Sequence, residues 1–338
     1  MYSGASIRRV TIPAAVTSIG SQVFTGCSGL EEISVSDGNP NYASVNGMLL
    51  TKDGTMLVQG VNGTVTIPNG VKDLWNFAFY NLRELTSVAI PDTVTTIRAA
   101  VFSGCTGLTS VTIPSSVTFI GFDSFWRSGL TSVTIPDNVT SLGDSSFLGC
   151  TNLTSATIGN GLTNIEKKMF LGCIGLTSIT IPNGITSIGE NAFKDCTALA
   201  SVVFEGDEPT LGTDVFIGVA SGCKAYVDGT LPGWSQYPNG SDWNGLTIAY
   251  KNAPAEPEYH TITFVCDSTK GTMSGQSTQQ VESGQSATPP TITAKTGWKY
   301  NGWSSNAWQN ASGDATVEAI CRSGIGGVRP WREGKFRI

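Results

Sequence analysis

The chain holds one histidine in 338 residues, and only 14% of its positions are charged. General acid–base chemistry draws most often on histidine, and His260 stands beside a proline-bearing stretch with no catalytic partner nearby. Lys and Arg number 20 against 26 Asp and Glu and never cluster. The basic surface that phosphate backbones require is therefore missing, which argues against nucleic acid as a partner. No run of about 18 apolar residues occurs, so no segment is suited to direct membrane insertion as a helix. Gly-x-Ser-x-Gly, His-Glu-x-x-His, phosphate-loop and calcium-loop patterns are absent, as is any Cys-x-x-Cys pair that would hold zinc. An enzyme would have to bring Asp and Glu together from distant segments, and the repeats described below are poor in both. The sequence is expected to have no catalytic residues, no cofactor and no metal.

What the chain does contain is a phrase repeated along its first two-thirds. Leu-Thr-Ser-Val-Thr-Ile-Pro, or a close variant, starts at Leu85, Leu108, Leu130, Leu153, Leu176 and Leu199, with spacings of 23, 22, 23, 23 and 23 residues. A fixed period of that size is the mark of a solenoid, whose coils must stack because none can bury its apolar side alone. The expected fold is a mainly β, right-handed coil stack of about nine 22–23-residue repeats over residues 1–250. At about 4.8 Å per coil it would be on the order of 43 Å long.

Within a coil, the Val111-Thr112-Ile113 alternation predicts a half-buried strand with Thr outward. Pro at 13, 68, 91, 114, 136 and 182 has no N–H and ends that strand. A second apolar pair (Val117/Ile120, Val139/Leu142, Ile185/Ile188) turns the chain back. A Phe column follows: Phe24, Phe79, Phe102, Phe125, Phe147, Phe170, Phe193 and Phe216. Residues 36–63 interrupt the pattern and read as an insertion with two short strands around an Asp53-Gly54 turn. Residues 205–250 read as the last coil plus a cap. Residues 251–258 read as a stiff linker, 259–321 as a small separate β domain, and 322–338 as an unassigned tail. The opening Met-Tyr-Ser-Gly-Ala-Ser-Ile-Arg-Arg has no signal-peptide character and leads into the first coil near Ile7. The reading is of a mature or excised piece whose first coil either follows further coils or pairs with something.

The phrase Leu-Thr-Ser-Val-Thr-Ile-Pro…Val-Thr-Ser-Ile-Gly…Ala-Phe…Gly-Cys resembles the BspA-type leucine-rich repeats of bacterial surface proteins, and residues Ile181 to Phe193 match it nearly throughout. The insertion, Asn39-Pro40-Asn41-Tyr42…Asp53-Gly54-Thr55, is similar to one that family carries. In the second domain, Ile262-Thr263-Phe264…Ala287-Thr288-Pro289-Pro290…Gly297-Trp298…Gly302-Trp303 resembles the internalin-type B repeat, a β-grasp-like module. The resemblance implies an extracellular or cell-surface adhesin that binds a protein ligand, on a host or neighbouring cell. It transfers no ligand-binding residue.

Candidate contacts therefore come from positions the repeat does not demand. Tyr80, Trp126, Leu148 and Leu171 share the slot after the Phe column, where other coils carry Thr25, Ser103 and Lys194, and Trp75 and Phe122 also depart from the filler around them. Such an apolar ridge is a binding candidate, although the rings could equally pack against adjacent turns. Thr112, Thr134, Thr157 and Thr180 form an outward hydroxyl column that either solvates the sheet or docks a ligand. The insertion hairpin is a third candidate, since loops on rigid scaffolds often carry recognition.

Cys27, Cys105, Cys150, Cys173 and Cys196 form a column whose matching slots hold Leu82 and Ser128. In-register side chains about 4.8 Å apart exceed the roughly 3.5–4.5 Å Cβ separation of a disulfide, so reduced core thiols are expected. The pairing of Cys223, Cys266 and Cys321 stays open. Two other functions remain in view: a structural spacer holding modules away from a cell, and a polysaccharide-binding accessory module using Trp234, Trp243 and Trp303.

Overall fold

Each coil has three sides, and the backbone bonds to the next coil along all of them. The computed structural model describes residues 7–252 and 258–323, in two units that divide after Pro254. Of the expected tail 322–338, Arg322 and Ser323 instead end the strand Ala315–Ser323, and 324–338, like most of the expected linker, lie outside the described residues. The first unit is a β-solenoid of about 11 turns. Its first side carries parallel strands in repeat register: Ser132–Thr134 pairs with Ser155–Thr157, Ser178–Ile181 with Ser201–Phe204, and Ser201 with Lys224. Thr-rich, β-branched sequence with alternate residues buried suits this half-wet strand.

Proline ends the strand as expected, and its carbonyl then caps the turn. The N–H groups of Val94, Val117, Val139 and Ile185 donate to Pro91, Pro114, Pro136 and Pro182 at 3.0–3.1 Å. The second side is a file of two-residue strands, including Asp73–Leu74, Thr96–Ile97, Phe119–Ile120 and Ser141–Leu142, again parallel and in register.

The third side is a stack of turns. Phe79, Phe102, Phe125, Phe147, Phe170 and Phe193 each donate an N–H to the next coil at 2.7–3.0 Å. Residues two before and two after each Phe lie in the left-handed region, as at Lys168 (φ 55°) and Gly172 (φ 70°). That alternation points every second N–H along the stack. The seven rings from Phe79 to Phe216 lie 5.1–5.6 Å apart within 18° of parallel. Phe24 is not among them, because the insertion separates its coil from Phe79. At that end Gly60 lies flat on the stack: a Cβ there would sit 2.0 Å from Phe79 Cε1.

The insertion is built into the core. It forms three strands, Tyr42–Val45, Met48–Thr51 and Met56–Gln59, and the last joins the second-side sheet parallel to Asp73–Leu74. Met48, Leu49, Leu50 and Leu57 are fully buried. Between the first and last of these strands only the Lys52-Asp53 turn and the Ser44–Asn46 end stand out to solvent; Asp37, Gly38, Pro40 and Asn41 ahead of them are also exposed.

The repeat decays in sequence after Glu205, yet its geometry persists. Lys224–Asp228 and Leu246–Asn252 continue the ladder, Ser201 to Lys224 to Thr247. Lys251 and Asn252, assigned above to the linker, end that last strand. Trp234 and Trp243 are buried in an aromatic cluster with Phe204 and Tyr237. Glu208 anchors it, accepting from Trp243 Nε1 at 2.7 Å, Tyr237 Oη at 2.8 Å and Gln236 Nε2 at 3.1 Å. These two tryptophans are thus unavailable to a polysaccharide.

The second unit has a four-stranded sheet in the order Thr278–Glu282, Tyr259–Val265, Ala315–Ser323, Trp298–Trp303, with a separate Gly271–Ser274/Thr291–Ala294 pair. The two central strands are parallel and their partners antiparallel. Ile262, Phe264, Ala287, Ala311 and Val317 form its core. His260 is buried on the inner face of Tyr259–Val265, and Trp303 is half-buried against Phe264.

Candidate functional site

One coil departs from the repeat in several ways at once. Residues 108–129 are a residue shorter than the neighbouring coils, and the loss falls at the corner where those coils read Gly104-Cys105-Thr106-Gly107 and Gly149-Cys150-Thr151-Asn152 and this one reads Arg127-Ser128-Gly129. The tight corner works because Gly129 has no side chain: a Cβ would meet the Thr106 carbonyl at 2.1 Å. The first-side ladder opens here as well. No strand forms over residues 108–113, and Ser110–Ile113 and Ser132–Thr134 line a cavity of about 230 Å³. Thr112 therefore faces solvent without belonging to a paired strand, whereas Thr134 and Thr157 are paired in register. Thr180 is exposed on the next strand pair, beside Val203.

At the corner the shortened coil leaves a notch. Tyr80, Asn81, Arg83, Gly104, Thr106, Trp126 and Arg127 line a cavity of about 430 Å³. Thr106, Arg127, Leu148 and Leu171 are among the residues lining a second, of about 630 Å³. Thr106 and Arg127 belong to both, so the two are one groove crossing successive coils. The ridge slot of Tyr80, Trp126, Leu148 and Leu171 is brought together on it, and all four side chains are half-buried.

Arg127 is the residue that pattern reading missed. Its slot otherwise holds Gly104, Gly149, Gly172, Gly218, Asn81 or Asp195, because the backbone there is left-handed; Arg127 adopts φ 51°. Its guanidinium lies 4.8 Å from the centroid of the Trp126 ring. The stem runs over Gly149, whose missing Cβ would fall 3.1 Å from Arg127 Cγ. Arg127 takes part in no ion pair among the described residues. The signal in the sequence was a long cation in a glycine slot.

The other two aromatic candidates lie elsewhere. Trp75 packs under Arg98, 5.0 Å from its ring, and Arg98 is held by Asp73 at 2.6–2.8 Å. That is a packing role. Phe122 is 54% exposed and lines a shallow cavity of about 430 Å³ with Phe119, Asp123 and Asp144. Partial burial and the nearby Asp144 carboxylate push the Asp123 pKa up.

The thiol column is a core feature. Cys105, Cys150, Cys173 and Cys196 are buried, and each donates its S–H to the carbonyl of the Phe one coil back, at 3.0–3.1 Å. Burial pushes Cys150 up to about 11 and Cys196 to about 12. Neutral thiols in apolar surroundings are poor nucleophiles and poor metal ligands. Among the described residues no three His, Cys, Asp or Glu side chains gather to hold a metal, and no helix is long and apolar enough to cross a membrane.

No curated protein matches the chain. Among solved structures, the pneumococcal vaccine antigen PcpA is 20% identical, with 73% of this chain and 56% of that one covered and a TM-score of 0.53. A leucine-rich repeat protein from Bacteroides ovatus is 24% identical over 72% of this chain and 60% of its own, with a TM-score of 0.45. One from Eubacterium ventriosum is 23% identical, over 71% and 63%, with a TM-score of 0.48. The chain thus spans less than two-thirds of the length of each, and the likeness to PcpA is one of fold. The BspA type leucine rich repeat region matches in six copies over residues 1–45, 62–147 and 118–223. With that match over more than half its length, the chain belongs to the BspA-type leucine-rich repeat family.

Proposed function

We propose that this chain is a non-enzymatic, surface-displayed binding protein that engages a protein ligand through the notch of coil 108–129. The supporting observation is Arg127: a long cation held at φ 51° in a glycine slot and stacked on Trp126 beside an open groove. Strained residues collect where function keeps them, and Trp, Tyr and Arg are the side chains that most often dominate protein interfaces. Family membership supports a protein-binding, surface-associated role of an adhesin kind, toward a host matrix protein or another surface protein. A glycan is the weaker reading, since Trp234 and Trp243 are buried in the cap and Trp303 is half-buried.

The test is binding of the purified chain to a panel of immobilised matrix and bacterial surface proteins, followed by Trp126→Ala and Tyr80→Ala on whichever interaction is found. Weaker binding with an unchanged thermal midpoint supports the notch; unchanged affinity discards it. A second reading, a structural spacer, draws on the unbroken seven-ring stack and its three ladders, which make a stiff element. No binding across the panel by a folded chain would favour it.

A further inference from the structure

The first unit holds five arginines, and three of them are neutralised by an acid on an adjacent coil. Arg8 pairs with Glu31, Arg9 with Glu32 and Arg98 with Asp73. The two left over, Arg83 and Arg127, are exposed and take part in no ion pair among the described residues. Both line the same cavity of about 430 Å³. The repeat sets that meeting. Asn81, Gly104 and Arg127 hold one slot on three successive coils, joined by the N–H of Asn81 to the Ser103 carbonyl and that of Gly104 to the Trp126 carbonyl, each 2.7 Å. Gly104 leaves bare backbone between them, since a Cβ there would sit 3.2 Å from Asn81 Oδ1. That same Oδ1 accepts from Arg83 Nε at 3.0 Å, which ties the first guanidinium to the rim. No carboxylate lines this cavity: Glu84, next to Arg83 in the chain, is not part of it, and Asp195 lines only the adjoining one with Leu148 and Leu171. In a chain of net charge -6, the notch is a local reversal of sign walled by Tyr80 and Trp126.

We propose that the notch takes an acidic segment of a protein partner, with Asp or Glu carboxylates on Arg83 and Arg127 and a neighbouring apolar side chain against Tyr80 and Trp126. This rests on the reading of the notch as the binding site and adds the chemistry of what enters it. A guanidinium offers paired N–H donors in a plane that matches a carboxylate, and Arg127 keeps them free while its face lies on Trp126. A sulfated polysaccharide or other polyanion is held by a run of cations. Here there are two, and no lysine lines either cavity. The aromatic walls instead suit a peptide that presents an apolar residue beside its acid. The groove also has a direction. Carboxylates belong at the Arg83 end, and apolar residues belong along Leu148 and Leu171, where Asp195 repels a further negative charge.

The probe is a library of random dodecapeptides displayed on phage and selected on the full chain, the most enriched peptide then being synthesised with a fluorophore for anisotropy titration. Enriched peptides should carry Asp or Glu beside an aromatic or aliphatic residue. Affinity should fall at least about tenfold in Arg83→Gln and in Arg127→Gln, with thermal midpoints unchanged. It should also weaken as sodium chloride is added. Arg83→Glu combined with Arg127→Glu should prefer the same peptide with its acids replaced by lysine. Arg83→Gln carries the test if Arg127→Gln does not fold. Peptides that Trp126→Ala releases but that lack acids, or that bind both glutamine variants unchanged, overturn the proposal and leave the notch standing. Peptides indifferent to Trp126→Ala and to both arginine substitutions remove the notch itself, and the proposal with it. No enrichment, or a heparin oligosaccharide bound through Arg83 and Arg127 where no peptide is, also overturns it.

Discussion

The guanidinium carbon of Arg127 stands 4.8 Å from the centroid of the Trp126 ring, its own chain neighbour, at a position where five other coils have glycine. Two opposing energies meet there. A left-handed backbone costs a non-glycine residue roughly 1–2 kcal/mol, and an exposed cation–π contact returns about 0.5–1 kcal/mol. Glycine relieves the strain but enters folding with more unfolded-state entropy, worth about 0.4–1 kcal/mol. Arg127→Gly is therefore expected to fold with stability within about 1 kcal/mol of the parent by urea titration. If the notch binds, affinity should fall at least about tenfold, or about 1.4 kcal/mol. Stability loss without affinity loss would mark Arg127 as packing alone.

The ring stack carries the solenoid. Phe147 is fully buried and lies 5.2 Å from Phe125 and 5.5 Å from Phe170. Truncating a buried Phe costs about 3–5 kcal/mol through lost transfer energy and the cavity left behind. Phe147→Ala should reach that range in urea unfolding. Phe24→Ala should cost clearly less, because Phe24 is outside the stack.

Gly60 tests the end of the same stack from outside. A Cβ placed 2.0 Å from Phe79 Cε1 must displace either the ring or the backbone. Gly60→Ala should destabilise by about 1–3 kcal/mol, the usual cost of overpacking. Adding Phe79→Leu should recover part of that loss, since the smaller side chain makes room.

The buried thiols make the solenoid sensitive to alkali. Their pKa values are raised above the ordinary thiol value of 9.0, to about 11 at Cys150 and about 12 at Cys196. Below pH 9 both folded and unfolded thiols are neutral and the stabilisation is complete. Above it the unfolded thiols ionise first, so stability falls as pH rises through the 9 to 12 window. The urea midpoint should drop between pH 8 and pH 10.5, and Cys150→Ala combined with Cys196→Ala should flatten the slope. A slope unchanged by both substitutions would assign alkaline sensitivity to other groups.

Glu208 is the hub of the cap, where three donors converge on one carboxylate. Glu208→Ala leaves Trp243 Nε1 and Tyr237 Oη short of a partner, at about 1–3 kcal/mol for a buried donor. Trp243 also borders Phe216, the last ring of the stack, at 6.1 Å. Hydrogen exchange should therefore rise first in the Lys224–Asp228 and Leu246–Asn252 strands and later in the central coils.

Periodicity alone placed the coils. Identical phrases at a constant spacing must stack in register to bury their apolar side, so the Phe79–Phe216 file, the strand-ending prolines and the thiol column were legible as text. The insertion was legible as strands around Asp53-Gly54, but its course into the core was not, because burial of Met48 and Leu57 depends on which coil lies beside them. Residues 205–250 were legible as one last coil and a cap, but the second ladder strand there was hidden for the opposite reason: backbone hydrogen bonds keep the ladder going after the side chains stop repeating. Trp234 and Trp243 looked like surface aromatics because nothing in their spacing reveals Glu208 across the cap.

The groove shows the same division. Sequence marked Tyr80, Trp126, Leu148 and Leu171 as one slot, since equal position in a repeat means equal position on the stack. It also contained the missing residue in coil 108–129. Only the folded coils decided that this deletion opens a notch, that Arg127 lies on Trp126 above it, and that Trp75 and Phe122 lie elsewhere. A repeat determines where side chains recur; whether a departure from it is filled, strained or left open depends on neighbours 22 or 23 residues away.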